Sequence, residues 1–349
     1  MLGGALARVG MTAAIAFALA GCADLQLSQS QKQIVVRTGD AANNLRVEPD
    51  GPAAARLAPY ALLAEQSESS QVYVRGRPVP EPSRCNAAIQ DDCIDRTLNL
   101  KRASALLNQW RLDWVCDTAK KCLTPEHAKD AGDGLGVQIW VRRGLICREA
   151  IIAFRGTVGG NAGDWISNFH WVARALPGYD QYDQVRDAVV DWVNYIKDLP
   201  CYRPHQTAIV TLGHSLGGGL AQMAAYANGS VERVYAFDPS PVTGFYSGGL
   251  DRRDENVRGL KTERIYEHGE ILAFGRWLMH EFVPLSACNP RIVTERFYVL
   301  EGGPLDQHGM IPLTSGILAA SIGHAPEIHS AADETCATSK PAPALVAVQ

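Results

Sequence analysis

Ala208-Ile209-Val210-Thr211-Leu212-Gly213-His214-Ser215-Leu216-Gly217-Gly218-Gly219-Leu220-Ala221-Gln222-Met223-Ala224-Ala225-Tyr226-Ala227 is the stretch that decides the fold. Ala208–Leu212 is a short apolar run of the kind that suits a buried strand, and Leu216 to Ala227 reads as an Ala/Gly-rich helix. Between them Gly213-His214-Ser215-Leu216-Gly217 fits the pattern G-x-S-x-G. A serine on a sharp strand-to-helix turn has a strained backbone, so its neighbours must be small. Gly213 and Gly217 leave that room. The pattern alone recurs by chance, and a glycine-rich helix entry with an idle serine would look the same. Here it follows an apolar strand and opens a helix, the context that gives the serine a role.

Outward from this turn, strands and helices alternate, which implies a mostly parallel sheet flanked by helices. Val137–Val141, Ala150–Phe154, Val231–Phe237, Arg264–Tyr266 and Arg296–Leu300 are the further predicted strands. Tyr182, Val185, Val189, Trp192 and Ile196 recur at three- and four-residue spacing, one face of a helix. Pro52 to Glu65 reads as another helix, with Pro52 near its start. The expected organisation is a signal segment over 1–21, a tether over 22–50 and a helical, cysteine-bearing extension over 51–135. A catalytic core over 136–335 and a loose tail over 336–349 follow.

Taken with the serine turn, Ile151-Ile152-Ala153-Phe154-Arg155-Gly156-Thr157 resembles the class 3 (fungal-type) lipases, and Asp164-Trp165 also looks like that family. The resemblance covers about 136–312 and implies the α/β-hydrolase fold. It implies Ser215 as nucleophile, with the amides of Thr157 and Leu216 holding the oxyanion. The base should be a histidine beyond the last strand. His308 is best placed, in a loop after Gly302-Gly303-Pro304. His214 adjoins the nucleophile but should point elsewhere, and His324 and His329 are reserves. For the acid, Glu270 occupies the position after the penultimate strand where the family has an aspartate. Asp238, in Phe237-Asp238-Pro239, ends the preceding strand and competes with it. Either carboxylate would fix the imidazole tautomer. No metal or organic cofactor is implied. The family points to acylglycerols or phospholipids, although a short-chain esterase or acyltransferase would use the same residues. A reading of another class is an inactive lipoprotein that keeps the fold to bind lipid or a partner.

The whole chain has 349 residues, 46 % hydrophobic and 20 % charged, with a formal net charge of −4. That balance can bury a large core, and without a Lys/Arg-rich run it gives no footprint for nucleic acid. Arg8 precedes an apolar stretch, Met11 to Ala20, too short to span a bilayer, which is the layout of a secretory signal peptide. Leu19-Ala20-Gly21-Cys22 resembles the lipobox of bacterial lipoproteins. That resemblance implies a lipid anchor on Cys22, and Ala23 after it favours the outer membrane. Eight further cysteines in an exported chain suggest disulfides. Short loops favour Cys85–Cys93 and Cys116–Cys122. Cys147 and Cys201 precede strands that should be parallel neighbours, which leaves Cys288 for Cys336. Ile271, Leu272, Phe274, Trp277, Leu278, Met279 and Phe282 form an apolar cluster, either core or an acyl-chain wall. Tyr246 to Val257 is a second candidate cover. Nothing in the sequence sets an oligomeric state.

Overall fold

The structure is a computed structural model that describes residues 29–39, 45–68, 101–117, 119–123, 134–156, 180–247, 252–273, 286–304 and 306–326. Among them nine strands form one sheet: β1 (Gln33–Thr38), β2 (Leu45–Pro49), β3 (Trp110–Cys116), β4 (Val137–Arg142), β5 (Glu149–Phe154), β6 (Ala208–His214), β7 (Val231–Phe237), β8 (Lys261–Glu267) and β9 (Arg291–Phe297). Their order is β2-β1-β9-β8-β7-β6-β5-β4-β3. β5 to β9 run parallel, with β4 and β3 antiparallel at one edge and β1 and β2 at the other. The longer helices are α1 (Asp50–Glu68), α2 (Gln181–Lys197), α3 (Leu216–Ala227) and α4 (Met310–Ala320).

Alternation along the central strands sorts their side chains into two cores, because successive residues point to opposite faces. In β5, Ala150, Ile152 and Phe154 join α2 and α3 in one core, whereas Ile151 and Ala153 join α1 and α4 in the other. β7 repeats this, with Val234 and Ala236 on the first face and Tyr235 and Phe237 on the second. Both faces of the central strands are covered, so these strands read as nearly continuous apolar runs. α2 begins on a capping box in which the Asp180 side chain accepts from the Tyr182 and Asp183 amides, and it buries Val185, Val189, Trp192 and Ile196 as the periodicity predicts.

Several expectations need correction. Within the expected polar tether, residues 33–38 and 45–49 form β1 and β2, and β1 pairs antiparallel with β9. Ile34, Val35 and Val36 are buried there. The cysteine-bearing extension contributes β3 to the far edge of the sheet and packs α1, longer than its predicted 52–65 span, across one face. The last strand lies at Arg291–Phe297 instead of 296–300.

Cys116–Cys122 and Cys147–Cys201 are bridged, the latter with Cα atoms 5.2 Å apart and the Cys147 amide donating to the Cys201 carbonyl, ahead of the pairing of β5 with β6. Cys288 is disulfide-bonded as well. The signal segment and Cys22, Cys85, Cys93 and Cys336, Thr157, Asp164-Trp165, His329, the tail over 336–349 and the apolar cluster beyond 273 lie outside the described residues. Among the described residues no helix is long and apolar enough to cross a membrane.

Candidate active site

β6 ends at His214 and α3 begins at Leu216, so Ser215 is the single residue of the turn between them. Its backbone sits at φ 53°, ψ −120°, a region that a residue with a side chain adopts only under constraint. The constraint is visible. The Ser215 amide donates to the Phe237 carbonyl at 2.9 Å, and the Ser215 carbonyl accepts from the Ser240, Gly218 and Gly219 amides. A Cβ at Gly213 would collide with the Gly217 backbone, and one at Gly217 would collide with the Phe154 carbonyl. The glycines of the turn are thus required by close approach of α3 to β5 and β6. Ser215 is only 5 % exposed, deeper than an open turn would place it.

His308 lies in a single 3-10 turn, Asp306–His308, between β9 and α4. Its Nε2 is 3.2 Å from Ser215 Oγ, and its Nδ1 is 2.8 Å from Glu270 Oε2. The carboxylate can only accept, so Nδ1 carries the proton and the Nε2 lone pair faces the hydroxyl. Glu270 follows β8, is 2 % exposed, and also accepts from the Leu272 amide at 2.9 Å. The Ile271 amide donates to the Pro304 carbonyl, which ties the loop of the acid to the loop of the base. Three residues from three loops therefore meet at the carboxyl ends of the parallel strands, where open α/β sheets place their ligands. Leu216 is the first residue of α3, and its amide has no acceptor within its own helix.

Asp238, the competing acid, is fully buried at φ 37°. One of its oxygens accepts from the Glu267 amide at 3.0 Å, and the other, Oδ2, has no hydrogen-bond partner. It sits beneath the histidines without taking the Nδ1 of His308. Glu267 beside it accepts from the Val299 and Leu300 amides, and burial pushes its carboxyl up to about 7 against those bonds, with the charge of Asp238 adding to the rise. The ligand-type atoms of His214, Asp238 and His308 lie within 4.8 Å of one another. The His308 nitrogens are taken by Glu270 and Ser215, and those of His214 by two oxygen acceptors, so this donor set is already committed to hydrogen bonds. His324 is elsewhere, against Gly51.

One participant was not foreseen. Glu68, the last residue of α1, meets His214 Nδ1 at 2.6 Å. Nothing local in the sequence marks it, because its partner is 146 residues away.

A serine on a strand-to-helix turn of a parallel sheet, faced by an imidazole and a carboxylate from the loops after later strands, defines an α/β-hydrolase fold. Residues 113–251 match the model of a Tle-like phospholipase domain, a span that includes Ser215 and Asp238 and ends before Glu270 and His308. The chain is 35 % identical over 111 residues to the extracellular phospholipase A1 of Serratia liquefaciens, covering 31 % of this chain and 29 % of that protein. The alignment thus spans less than a third of the relative's length. Among solved structures, an esterase of Pyrobaculum calidifontis is 12 % identical, covering 70 % of this chain and 93 % of its own, with a TM-score of 0.33. The acetyl xylan esterase of Paenibacillus sp. R4 is also 12 % identical, over 67 % of this chain and 96 % of its own, at a TM-score of 0.30.

Proposed function

We propose that this protein is a serine hydrolase that cleaves the carboxylic esters of lipids, with phospholipids as the favoured class. The observation that carries the reading is the line from Ser215 Oγ through the His308 ring to Glu270 Oε2, at 3.2 and 2.8 Å. In this reading His308 takes the Ser215 proton as Oγ attacks the ester carbonyl, and returns it to the leaving alcohol. An acyl-enzyme forms, and water, activated by the same imidazole, releases the acid. Glu270 keeps the imidazole in the productive tautomer. The amides of Leu216 and Thr157 hold the oxyanion, each worth a few kcal/mol in the transition state. The similarity to a phospholipase A1 and to a phospholipase domain model supports a lipid ester over other acyl substrates. The class 3 assignment rests on Ile151–Thr157, the serine turn and Asp164-Trp165.

Fluorophosphonate labelling combined with hydrolysis of phosphatidylcholine vesicles tests this. Wild type should label and release fatty acid, and Ser215→Ala should do neither while melting normally, since so small a truncation at a turn moves stability little. Turnover by the folded variant would remove Ser215 from the chemistry. Hydrolysis of acetate esters without any on vesicles would move the substrate to short-chain esters.

The same proposal places the protein outside the cytoplasm, held by acyl chains on Cys22. Each buried methylene of such a chain contributes ~0.8 kcal/mol. Cys22→Ser should lose both incorporation of a fatty-acid analogue and its membrane fraction. Retention on membranes after a high-salt wash would show another mode of attachment.

A further inference from the structure

His214 is 6 % exposed and lies immediately before the nucleophile, yet its ring turns away from Ser215. Its Nε2 is 2.8 Å from the backbone carbonyl of His308, and its Nδ1 is 2.6 Å from Glu68 Oε1. A carbonyl oxygen can only accept, so Nε2 carries a proton. The second proton is shared with a carboxylate, and both partners place it on the ring. Burial opposes charge on His214, but the Glu68 carboxylate outweighs it and raises the imidazole above its ordinary value. Glu68 is lowered in turn: burial would raise it, and the charge and hydrogen bond of His214 prevail. His214 thus holds a proton on Nε2 and turns Nδ1 to a carboxylate, with its ring 5.0 Å from the His308 ring.

The space for this pair is built into the chain. A Cβ at Gly156 would lie 2.8 Å from Glu68 Oε1 and 3.0 Å from the His214 carbonyl. The glycine of Arg155-Gly156-Thr157 is where the Glu68 carboxylate passes. The titratable groups facing the pair are Glu65 on α1, Asp238 at the end of β7 and His308 ahead of α4.

We propose that Glu68 and His214 form a second carboxylate–imidazolium pair that positions the base, by holding the His308 backbone carbonyl through Nε2–H. This rests on the reading of His308 as the base. The pair touches no reacting atom, so both are positioning residues. Glu68 does for His214 what Glu270 does for His308: it fixes which nitrogen is protonated and where the ring points. The N-terminal helix thereby sets the height of the imidazole above Ser215, and loss of the contact frees the 306–308 turn to drift from hydrogen-bond reach.

The test has two readouts. In wild type labelled with 15N-histidine, both His214 ring nitrogens should still report protonation above pH 6.5, where an ordinary histidine of pKa about 6.5 becomes mostly neutral. In Glu68→Gln the ring should become neutral at the same pH. A neutral His214 in wild type would overturn the pair. For the positioning role, His214→Leu should slow fluorophosphonate labelling by about tenfold or more, the loss expected from a base displaced by a fraction of an ångström. His214→Gln, which keeps an N–H near the place of Nε2, should recover most of that rate. On ester substrate the loss should fall on kcat with KM unchanged. Equal labelling by folded His214→Leu and wild type would overturn the role, as would a Gln variant no better than Leu. If His308→Ala labels at the wild-type rate, the base itself is misassigned and the positioning role falls with it, whereas the nitrogen spectrum still judges the pair.

Discussion

Glu270 and Asp238 are both buried, both near His308, and differ in what their oxygens are given. Glu270 receives one backbone amide and the His308 Nδ1 proton. Asp238 receives the Glu267 amide and leaves Oδ2 without a partner in the interior. Glu270→Gln should therefore lower kcat by about three to four orders of magnitude with KM little changed, the scale found when a triad carboxylate is neutralised. Asp238→Asn should cost far less than that in kcat. Steady-state kinetics of the two variants side by side decide between them, and the reverse ranking would move the acid to β7. Much of this arrangement was legible. Gly213 and Gly217 announced the serine turn because close backbone approach demands glycine, and the succession of strands ranked His308 and Glu270 first. Glu68 was illegible, since a contact between the end of one helix and a residue far along the chain leaves no local pattern.

At the level of elements, α1 is the piece whose importance outruns its sequence signal. It buries Leu57, Leu62 and Leu63 against the sheet, each contributing about 1.5–3 kcal/mol relative to exposure. It also carries Arg56 into the interior, where the guanidinium meets Glu263 of β8 and Glu295 of β9. Burial disfavours the guanidinium charge, but the two carboxylates more than offset it and raise its pKa. Arg56→Met keeps the volume and strands both acids, which should cost about 3–5 kcal/mol. A urea titration would read this directly, and an unchanged midpoint would mean that the carboxylates find water through the neighbouring 480 Å³ cavity. The same pairing explains a misplaced strand. Glu295 and Arg296 interrupt the apolar pattern of β9, their charges being met by α1 and by Gln29, so local hydropathy marks only the end of the strand. β3 escaped notice for a different reason. An irregularity between Leu112 and Trp114 breaks its alternation.

For the whole molecule, four buried or half-buried ionisable groups set how stability responds to pH. The folded value of His214 lies above its ordinary 6.5, so its contribution is complete below 6.5 and is lost as pH rises through the folded value. That of Glu68 lies below its ordinary 4.5, so its contribution is present above 4.5 and lost as pH falls through the folded value. Glu65 and Glu267, both pushed up to about 7 chiefly by burial, contribute most below 4.5 and lose that share as pH climbs through about 7. Melting temperature should accordingly decline as pH climbs from 4.5 through about 7, and further as His214 loses its proton above 6.5. The gap between wild type and Glu68→Gln should be widest between pH 4.5 and 6.5. Differential scanning calorimetry across pH 4 to 9 checks both, and a gap independent of pH would mean that the pair carries no net charge interaction.

The pairing of β1 with β9 has a bearing on how the molecule comes into being. Val36 lies opposite Glu295, so one of the earliest described segments to be synthesised finds its neighbour in one of the latest. α1 likewise packs against α4, its Ala61 carbonyl accepting from Thr314. Neither partner exists until the chain has been made as far as β9 and α4. A ribosome or a translocation channel delivers the chain from its amino end, and long-range pairings of this kind are slow to close. The first strand and helix can therefore complete their packing only once β9 and α4 have been made. Glu68 belongs to that same helix, so the surroundings of Ser215 would be completed only when α1 settles against α4.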